Sequence, residues 1–170
     1  DGNVVGWYQG RSEWGSRALG NRSILANPAN KNMKEIINTK IKKRESFRPF
    51  APSVLEDDVI KYFECDIRSE FMNHIVKFKK EWQDVFPSVC HVDNTARLQT
   101  VNKENNPLFY KLITELKKFT NHGIVLNTSF NENEPIVDTP SQAIDCYLRT
   151  DMDVLFLEKY MICKDKSKLD

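Results

Sequence analysis

A short stretch near the start of the chain combines fixed positive charge with a flexible backbone. Residues 10–23 read GRSEWGSRALGNRS and contain three arginines, three glycines and one glutamate. Guanidinium groups bind phosphate through paired hydrogen bonds, and glycines let backbone N–H groups approach an anion closely. We therefore predict that this arginine–glycine loop contacts an anion, with one arginine paired to Glu13. The alternative is a surface loop whose arginines are solvated.

A second basic cluster, residues 42–50, reads KKRESFRPF. Pro49 in this cluster and Pro52 just after it favour an extended path, on which Arg44 and Arg48 share a face. The phenylalanines beside them indicate that this face is partly buried, and a buried arginine needs a partner such as a phosphate. The alternative is a helix C-terminus whose dipole attracts cations. That alternative explains Lys42 and Lys43 well and Arg48 poorly.

Two further polar clusters lie at the ends of predicted strands. In HVDNTARLQT, residues 91–100, Arg97 and Gln99 fall on one face of a strand and are expected to bind one ligand. The alternative is an Asx turn that starts the strand. In NTSFN, residues 127–131, hydroxyls and amides directly follow an apolar strand, a place where α/β sheets commonly hold ligands. The alternative is a polar turn in which Asn131 adopts an unusual backbone angle.

The composition is that of a globular protein with its own core, since 40% of the 170 residues are hydrophobic and 29% are charged. A net charge of +1 argues against a broad nucleic-acid surface. The four cysteines show no paired spacing, which indicates reduced thiols and no zinc site. No long apolar run or signal peptide is present, and the sequence begins without methionine. We therefore expect a single cytoplasmic domain, cut from a longer chain and not bound to a membrane.

Hydrophobic periodicity predicts the elements that position these clusters. Strands are expected at residues 4–8, 23–26, 71–78, 96–101, 124–126, 154–157 and 160–162, and helices at residues 33–42, 56–63, 107–119 and from residue 139. Residues 79–87 are expected to form a polar, mobile excursion, Gly123 to end the third helix, and residues 164–170 to form a frayed tail. Strands and helices intermix without regular alternation, which predicts an α/β or α+β domain with a mixed sheet.

Taken together, the four polar clusters predict one polar, positively charged pocket. The sequence contains no Walker motif, no GxSxG motif and no placed Cys–His pair. We therefore expect a site that binds a phosphorylated small molecule and acts by positioning and by charge stabilisation.

The same clusters resemble the C-terminal domain of O-carbamoyltransferases of the NodU/CmcH family. The matching stretches occur in the family's order and cover residues 4–156: GWYQGRSEWGSRALGNRSILANP, INTKIKKRESFRPFAPSVL, HVDNTARLQTV, NPLFYKLI and LNTSFNENEPIVDTP. Three positions depart from the family's pattern. Ser16 stands where the family usually has proline, and Asn94 and Asn133 stand where glycine is common. Asparagine tolerates a positive φ better than most residues.

The resemblance implies a twisted mixed sheet of the YrdC/Sua type over a basic cavity. It implies that carbamoyl phosphate and ATP, with Mg²⁺, give carbamoyl-adenylate, whose carbamoyl group passes to an acceptor hydroxyl on a small molecule or sugar. The acceptor and a metal belong to an N-terminal actin-like domain of the same chain, and the present domain has no metal site of its own. The signatures KxR and SxN of the YrdC-like fold match Lys42-x-Arg44 and Ser129-x-Asn131.

The resemblance also suggests roles for individual residues. The expected catalytic residues are Lys42, Arg44 and Arg97, which would neutralise phosphates or clamp the carbamoyl oxygens. The expected ligand-binding residues are Arg11, Arg17, Asn21, Arg48, Gln99, Asn127, Ser129 and Asn131. Two alternatives remain open: a ligand-binding module without independent catalysis, and a YrdC-like domain that binds RNA or a nucleotide. Neither a membrane nor a nucleic acid is the expected partner.

Overall fold

Eight strands within residues 2–164, the part of the chain that this computed structural model describes, form a mixed sheet with flanking helices. The predicted α/β fold class is thereby confirmed. Apart from Lys164, the tail predicted to be frayed lies outside the described residues.

In chain order the strands are β1 (Val5–Tyr8), β2 (Arg22–Ala26), β3 (Ala51–Leu55), β4 (His74–Lys77), β5 (Thr95–Val101), β6 (Ile124–Ser129), β7 (Val154–Leu157) and β8 (Tyr160–Cys163). The α-helices are α1 (Met33–Ile36), α2 (Val59–Tyr62), α3 (Lys80–Gln83), α4 (Pro107–Thr120) and α5 (Pro140–Arg149). A π-helix, Ile37–Ile41, continues α1, and a 3₁₀ turn, Glu56–Asp58, precedes α2.

The chain forms two compact units, and the described residues of the first are 2–27, 32–48 and 127–164. Its strands lie in the order β6-β2-β1-β7-β8. Only the last three residues of β6 belong to this unit. Strand β1 runs antiparallel to β2 and parallel to β7, and β7 and β8 form an antiparallel hairpin. All five residues of β2 are buried, and helix α5 packs against β1 and β7.

The second unit comprises Pro28–Lys31 and Pro49–Leu126. Its strands lie in the order β4-β5-β3-β6, with β4 antiparallel and β3 parallel to β5. Helix α4 packs against β3, whose residues are all buried.

Helices α4 and α5 begin with the capping residues that the sequence offers. The Asn106 side chain accepts a hydrogen bond at 3.1 Å from the backbone N–H of Phe109, the third residue of α4. Thr139 and Gln142 form a reciprocal capping box at the start of α5. A proline takes an early position in each helix, where its missing N–H has no intrahelical partner to lose.

The polar excursion predicted at residues 79–87 contains a short helix, which the sequence analysis did not predict. Residues Lys80–Gln83 form α3, and Trp82 stacks on Phe86 with ring centroids 5.7 Å apart. Both rings meet Tyr62 edge to face at 5.0 and 5.4 Å. The two aromatic residues are four positions apart and therefore fall on one face of a helical turn. The charged residues that precede Trp82 and the one that follows it hid this apolar face in the sequence.

Helix α4 ends at Asn121 rather than at Gly123. Asn121 adopts a left-handed conformation with a φ of 61° and returns its N–H to the Lys117 carbonyl. Gly123 is instead a site of close packing, because a Cβ atom there would lie 2.0 Å from Oδ2 of Asp58. The other oxygen of this buried carboxylate pairs with Lys117 at 2.7 Å.

Replacing Gly123 with alanine is expected to destabilise the fold by about 1–3 kcal/mol, the usual range for an added methyl group in a packed interior. Asp58→Ala removes the clashing carboxylate, so the double variant is expected to lose less stability than the two single variants summed. Urea unfolding of the four proteins measures this coupling. Strict additivity would contradict the assigned contact.

Candidate functional site

The end of the first helix places Lys42 in the interior of the first unit. Residues Ile37–Ile41 wind as a π-helix, and the Lys42 N–H closes it on the Ile37 carbonyl at 2.8 Å. Lys43 then adopts a left-handed conformation with a φ of 44°, which ends the helix. π-helical turns are rare and often occur at functional sites. The Lys42 side chain is 1% exposed as a result of this path.

The Lys42 ammonium is surrounded by oxygens of Ser129 and Asn131. Its Nζ lies 2.5 Å from the Ser129 carbonyl and 3.3 Å from the Ser129 hydroxyl. It lies 2.7 Å from the Asn131 carbonyl and 2.6 Å from Oδ1 of Asn131. The Ser129 hydroxyl also donates to that Oδ1 at 2.7 Å. Two three-residue motifs separated by more than eighty positions in the sequence are thus in direct contact.

The protonation of Lys42 is finely balanced. Burial lowers the pKa of this ammonium from 10.5 to about 7, and the nearby positive charge of Arg44 acts in the same direction. The oxygens around Nζ favour the charged form, because the three N–H groups of the ammonium donate hydrogen bonds to them. A lysine in this state exchanges its proton near neutral pH.

Arg44 lies beside this centre and is held by Asn38. Its Nε donates to Oδ1 of Asn38 at 2.7 Å. The Asn38 amide, fully buried in the π-helix, donates to the carbonyls of Ser46 and Arg48 at 3.1 and 3.0 Å. Burial and the positive charge of Arg48 both lower the pKa of Arg44. An anion bound near Arg44 would offset this repulsion.

The expected extended, partly buried face at Arg44 and Arg48 is not formed. Residues 44–48 turn instead, since the Arg48 N–H donates to the Glu45 carbonyl at 3.3 Å. Arg48 is exposed and pairs with Glu45 at 3.0 Å, and Phe47 is 74% exposed. The left-handed Lys43 changes the chain direction here, which the prolines further along did not reveal.

The arginine–glycine loop contains an anion of its own. One oxygen of Glu13 accepts hydrogen bonds from the backbone N–H groups of Leu19 (2.7 Å), Asn21 (2.8 Å) and Arg22 (3.2 Å). Gly20, with a φ of 109°, provides the turn between these donors. The predicted cradle for an anion therefore exists, but a side chain of the loop occupies it.

Arg22 is the structural arginine of this loop, although its guanidinium binds backbone carbonyls and not the Glu13 carboxylate, as had been predicted for one arginine. The guanidinium is buried and donates to the backbone carbonyls of Gln9, Gly10, Asn21 and Asp138. It also stacks on the Tyr8 ring at 3.5 Å. A buried arginine without an acid can be satisfied by carbonyls alone, which sequence spacing does not disclose.

A cleft of about 500 Å³ opens beside these groups in the first unit. The arginine–glycine loop forms one wall and the segment from β6 to α5 the other, with the lining residues Ser12, Glu13, Gly15, Ser16, Ser129, Asn131, Pro135, Ile136, Val137 and Asp138. Its charged lining residues are acidic. The prediction of one basic pocket is therefore wrong for this cleft, which offers hydroxyl, amide and carboxylate oxygens.

The remaining predicted residues of the first unit surround the same loop. Arg11 and Arg17 are exposed on it. The Asn21 side chain donates to the Arg11 carbonyl at 2.9 Å. Asn127, buried in β6, donates to the Ala18 carbonyl at 3.1 Å and so joins the strand to the loop.

The two predicted residues from HVDNTARLQT belong to the second unit. Arg97 and Gln99 both lie on β5, and the Ser53 hydroxyl donates to the buried Gln99 amide oxygen at 2.5 Å. The stretch before them is an Asx turn, in which Oδ1 of Asp93 accepts from the Thr95 N–H and hydroxyl. Asn94 has a φ of 64° in this turn. This left-handed conformation agrees with the resemblance, in which glycine is common at this position.

Some residues of the site were absent from the sequence prediction. Asn38 was overlooked because one polar residue on an apolar helical face gives no clear signal. Glu132, Glu134 and Arg149 surround the Ser129–Asn131 turn, and nothing in their spacing reveals it. Among residues 2–164, no group of three or more His, Cys, Asp or Glu side chains is arranged to hold a metal ion. No helix in the same range has the length and apolar character needed to span a bilayer.

A sequence model of the family described as Carbamoyltransferase C-terminus matches residues 1–164. The nodulation protein NolNO of Sinorhizobium fredii is 51% identical over 168 residues, covering 96% of this chain and 25% of that protein. The 3'-hydroxymethylcephem-O-carbamoyltransferase of Streptomyces clavuligerus is 39% identical over 132 residues, covering 78% of this chain and 25% of that protein. The chain thus spans a quarter of the length of these two relatives.

A solved structure has a similar fold. Full-length HypF, crystallised in a phosphate- and nucleotide-bound form, matches with a TM-score of 0.60 at 19% identity, over 91% of this chain and 19% of that chain. At this identity the likeness concerns the fold alone, and it confirms the expected fold class.

The buried Lys42 makes stability depend on pH. Its folded pKa of about 7 lies below its ordinary value of 10.5, so the unfolded chain binds more protons between these values. The stability of the wild type relative to Lys42→Met is therefore expected to rise by roughly 1 kcal/mol per pH unit between about pH 7 and about pH 10.

Urea unfolding at several pH values measures this difference. Lys118→Met removes an exposed lysine paired with Glu115 and serves as the matched control, with a flat profile expected. A Lys42→Met difference that is also flat across this range would contradict the depressed pKa.

Replacing Glu13 with alanine is expected to loosen the arginine–glycine loop, because three backbone N–H groups lose their acceptor. Hydrogen exchange at the amides of Leu19, Asn21 and Arg22 should accelerate by roughly tenfold or more. Glu35→Ala, at an exposed position of α1, provides the control. Unchanged exchange at all three amides would show that the carboxylate does not hold the loop.

Proposed function

The chain belongs to the carbamoyltransferase C-terminal family, and we propose that it binds carbamoyl phosphate and ATP, forms carbamoyl-adenylate, and supplies the carbamoyl group for transfer to an acceptor hydroxyl. A relative from Streptomyces clavuligerus bears the name of an O-carbamoyltransferase. HypF, whose fold is similar, was crystallised with phosphate and nucleotide. The relative's name supports carbamoyl transfer to a hydroxyl, whereas the likeness to HypF supports the fold alone.

The observation that carries the proposal is the contact between the two signature motifs. Lys42 of KxR touches both Ser129 and Asn131 of SxN, at distances of 2.5–3.3 Å. A buried ammonium next to a half-buried arginine creates a local excess of positive charge. Such an excess stabilises the charge that develops when a phosphate bond breaks.

The chemistry balances in two steps. Water cleaves the bond between the carbamoyl group and phosphate, which gives carbamate and inorganic phosphate. A carbamate oxygen then attacks the α-phosphorus of ATP, and pyrophosphate leaves with the electrons of the broken P–O bond. The products are carbamoyl-adenylate and pyrophosphate, and Mg²⁺ accompanies the ATP phosphates.

The proposed roles follow from charge and position. Arg44 contacts the phosphates, because an anion would offset its repulsion from Arg48. Ser129 and Asn131 line the cleft and orient the carbamoyl amide, whose N–H donors suit the oxygens there. Lys42 fixes these two residues and neutralises the departing pyrophosphate.

The other predicted residues keep more general roles. We propose that Arg11, Arg17 and the exposed Arg48 meet phosphate groups or a neighbouring domain, since all three reach solvent. Asn21 and Asn127 shape the loop from which Arg11 and Arg17 project. For Arg97 and Gln99, contact with carbamoyl or phosphate oxygens stays a prediction from the resemblance. The acceptor, a small molecule or sugar, and an actin-like domain complete the reaction.

Release of pyrophosphate from ATP and Mg²⁺ is expected only when carbamoyl phosphate is present. Arg44→Ala should slow this release by roughly 30- to 1,000-fold, because loss of one charged partner removes about 2–4 kcal/mol of transition-state stabilisation. Arg68→Ala removes an exposed arginine paired with Glu56 and should leave the rate unchanged.

Three outcomes are informative for this experiment. Release without carbamoyl phosphate would contradict adenylate formation. An unchanged rate for Arg44→Ala, or a collapse of its melting temperature, would contradict the role of Arg44. Binding of carbamoyl phosphate without release by the wild type would make the protein a ligand-binding module.

A further inference from the structure

We propose that Arg149, acting through Glu132 and Glu134, is a positioning residue that holds the turn at residues 129–131 around the Lys42 ammonium. This inference rests on the proposed function, since it concerns the same site. It assigns a task to a cluster of four charged side chains that the mechanism does not otherwise use: Lys43, Glu132, Glu134 and Arg149. We call this group the glutamate–arginine cluster.

Arg149 joins two carboxylates that follow the turn. Its Nε lies 3.2 Å from Oε2 of Glu132, and its Nη2 contacts Oε1 of Glu134. The Glu132 side chain is 13% exposed and that of Glu134 is 34% exposed. Two partly buried carboxylates at such close range repel each other unless a cation lies between them. The guanidinium of Arg149, with its fork of N–H donors, is that cation.

Glu134 transmits this contact to the turn. Its carboxylate oxygens accept from the backbone N–H groups of Glu132 at 3.3 Å and Asn133 at 3.1 Å. Its backbone carbonyl accepts from Nδ2 of Asn131 at 2.5 Å. The same Asn131 side chain presents its Oδ1 to Lys42 at 2.6 Å. The hydrogen bond to Glu134 therefore fixes the orientation of the Asn131 amide, and this orientation directs Oδ1 of Asn131 to Lys42.

Glu132 provides a second connection to the same centre. Its Oε1 pairs with Nζ of Lys43 at 2.7 Å. Lys43 is the middle residue of the KxR motif and has a left-handed backbone with a φ of 44°. An ion pair at this residue favours the backbone shape that directs Lys42 inward. The glutamate–arginine cluster thus contacts both the KxR motif and the SxN motif. Arg149 links its two glutamates to each other.

Both carboxylates are ionised at neutral pH. Hydrogen bonding from Lys43 is the main reason why the pKa of Glu132 lies below its usual value. For Glu134, burial opposes ionisation, but backbone hydrogen bonds and the Arg149 charge outweigh it, and its pKa is also lowered. Removal of Arg149 would therefore leave Glu132 with Lys43 as its cation and would take from Glu134 the guanidinium that it contacts.

Contacts other than those of Arg149 also stabilise helix α5. The helix is held by its capping box and by the buried side chains of Ala143, Cys146 and Tyr147. Arg149 is its last residue, and its partners Glu132 and Glu134 both follow the Ser129–Asn131 turn. A neutral replacement at this position is therefore expected to fold, with its effect confined to the turn.

The test follows the accessibility of Lys42 in Arg149→Gln by trace acetylation with acetic anhydride, read by peptide mass spectrometry at several pH values. The plateau rate at high pH, where the amine is neutral, reports exposure alone. We expect this rate to rise by roughly five- to tenfold, the range for loss of one or two partly exposed ion pairs. The midpoint should also move upward from about pH 7, because a less buried lysine regains its ordinary pKa.

Matched variants separate this effect from a general loss of charge. Arg68→Gln removes an exposed arginine from its pair with Glu56, and Glu115→Gln does the same for a glutamate paired with Lys118. Neither should change the Lys42 profile. Glu132→Gln should raise the plateau rate as Arg149→Gln does, and Arg149→Lys should restore part of the protection because it keeps one ion pair.

An unchanged Lys42 plateau rate in both Arg149→Gln and Glu132→Gln would overturn the inference. Because the labelling uses no substrate, this result is independent of whether the wild type releases pyrophosphate. In an active protein, Arg149→Gln is also expected to raise the KM for carbamoyl phosphate more than it lowers kcat. A fall in kcat alone would contradict a role in positioning the ligand-binding turn.

Discussion

The burial of one ammonium group determines much of the first unit's local structure. A charged lysine in an apolar interior is unfavourable by several kcal/mol unless hydrogen-bond acceptors replace the lost water. Here the acceptors are two backbone carbonyls, one hydroxyl and one amide oxygen, all from Ser129 and Asn131. The π-helix, the left-handed Lys43 and the turn after β6 each help to bring Nζ to these oxygens. None of the three would be favoured by local backbone preferences alone.

The arginine–glycine loop is organised around a negative charge in the way that the Lys42 site is organised around a positive one. Its backbone N–H groups converge on a carboxylate, and the Glu13 side chain provides it. The buried arginine of the loop, Arg22, binds carbonyls instead of an acid. These internal contacts fix the loop's shape, and Arg11 and Arg17 then project from a rigid frame into solvent. A loop of this kind presents its charges in defined positions, although its glycine content suggested flexibility.

The sequence predicts those features that depend on neighbours along the chain. Helices α4 and α5 carry their own caps at Asn106 and Thr139, and strands β1, β2, β7 and β8 show apolar runs, so all six were found. Features that depend on distant partners were missed. Asn38 and Arg149 are polar residues whose roles appear only when Arg44 or Glu134 is beside them. Helix α3 was missed because only two aromatic residues, Trp82 and Phe86, form the apolar face of this turn, and charged residues lie near them in the sequence.

The choice of lysine at position 42 has an explanation only if the charge is used. A methionine would fill the same volume without desolvating an ammonium, and replacing buried charges with apolar groups is often stabilising. Burial and the positive charge of Arg44 favour the neutral amine of Lys42. An anion that approaches this site favours the charged form, and the amine then takes up a proton to become an ammonium. Under the proposed function the phosphates of ATP and carbamoyl phosphate are those anions. Protonation of Lys42 is then coupled to the binding of the phosphorylated ligand, and a methionine at this position would remove that coupling even where it stabilised the fold.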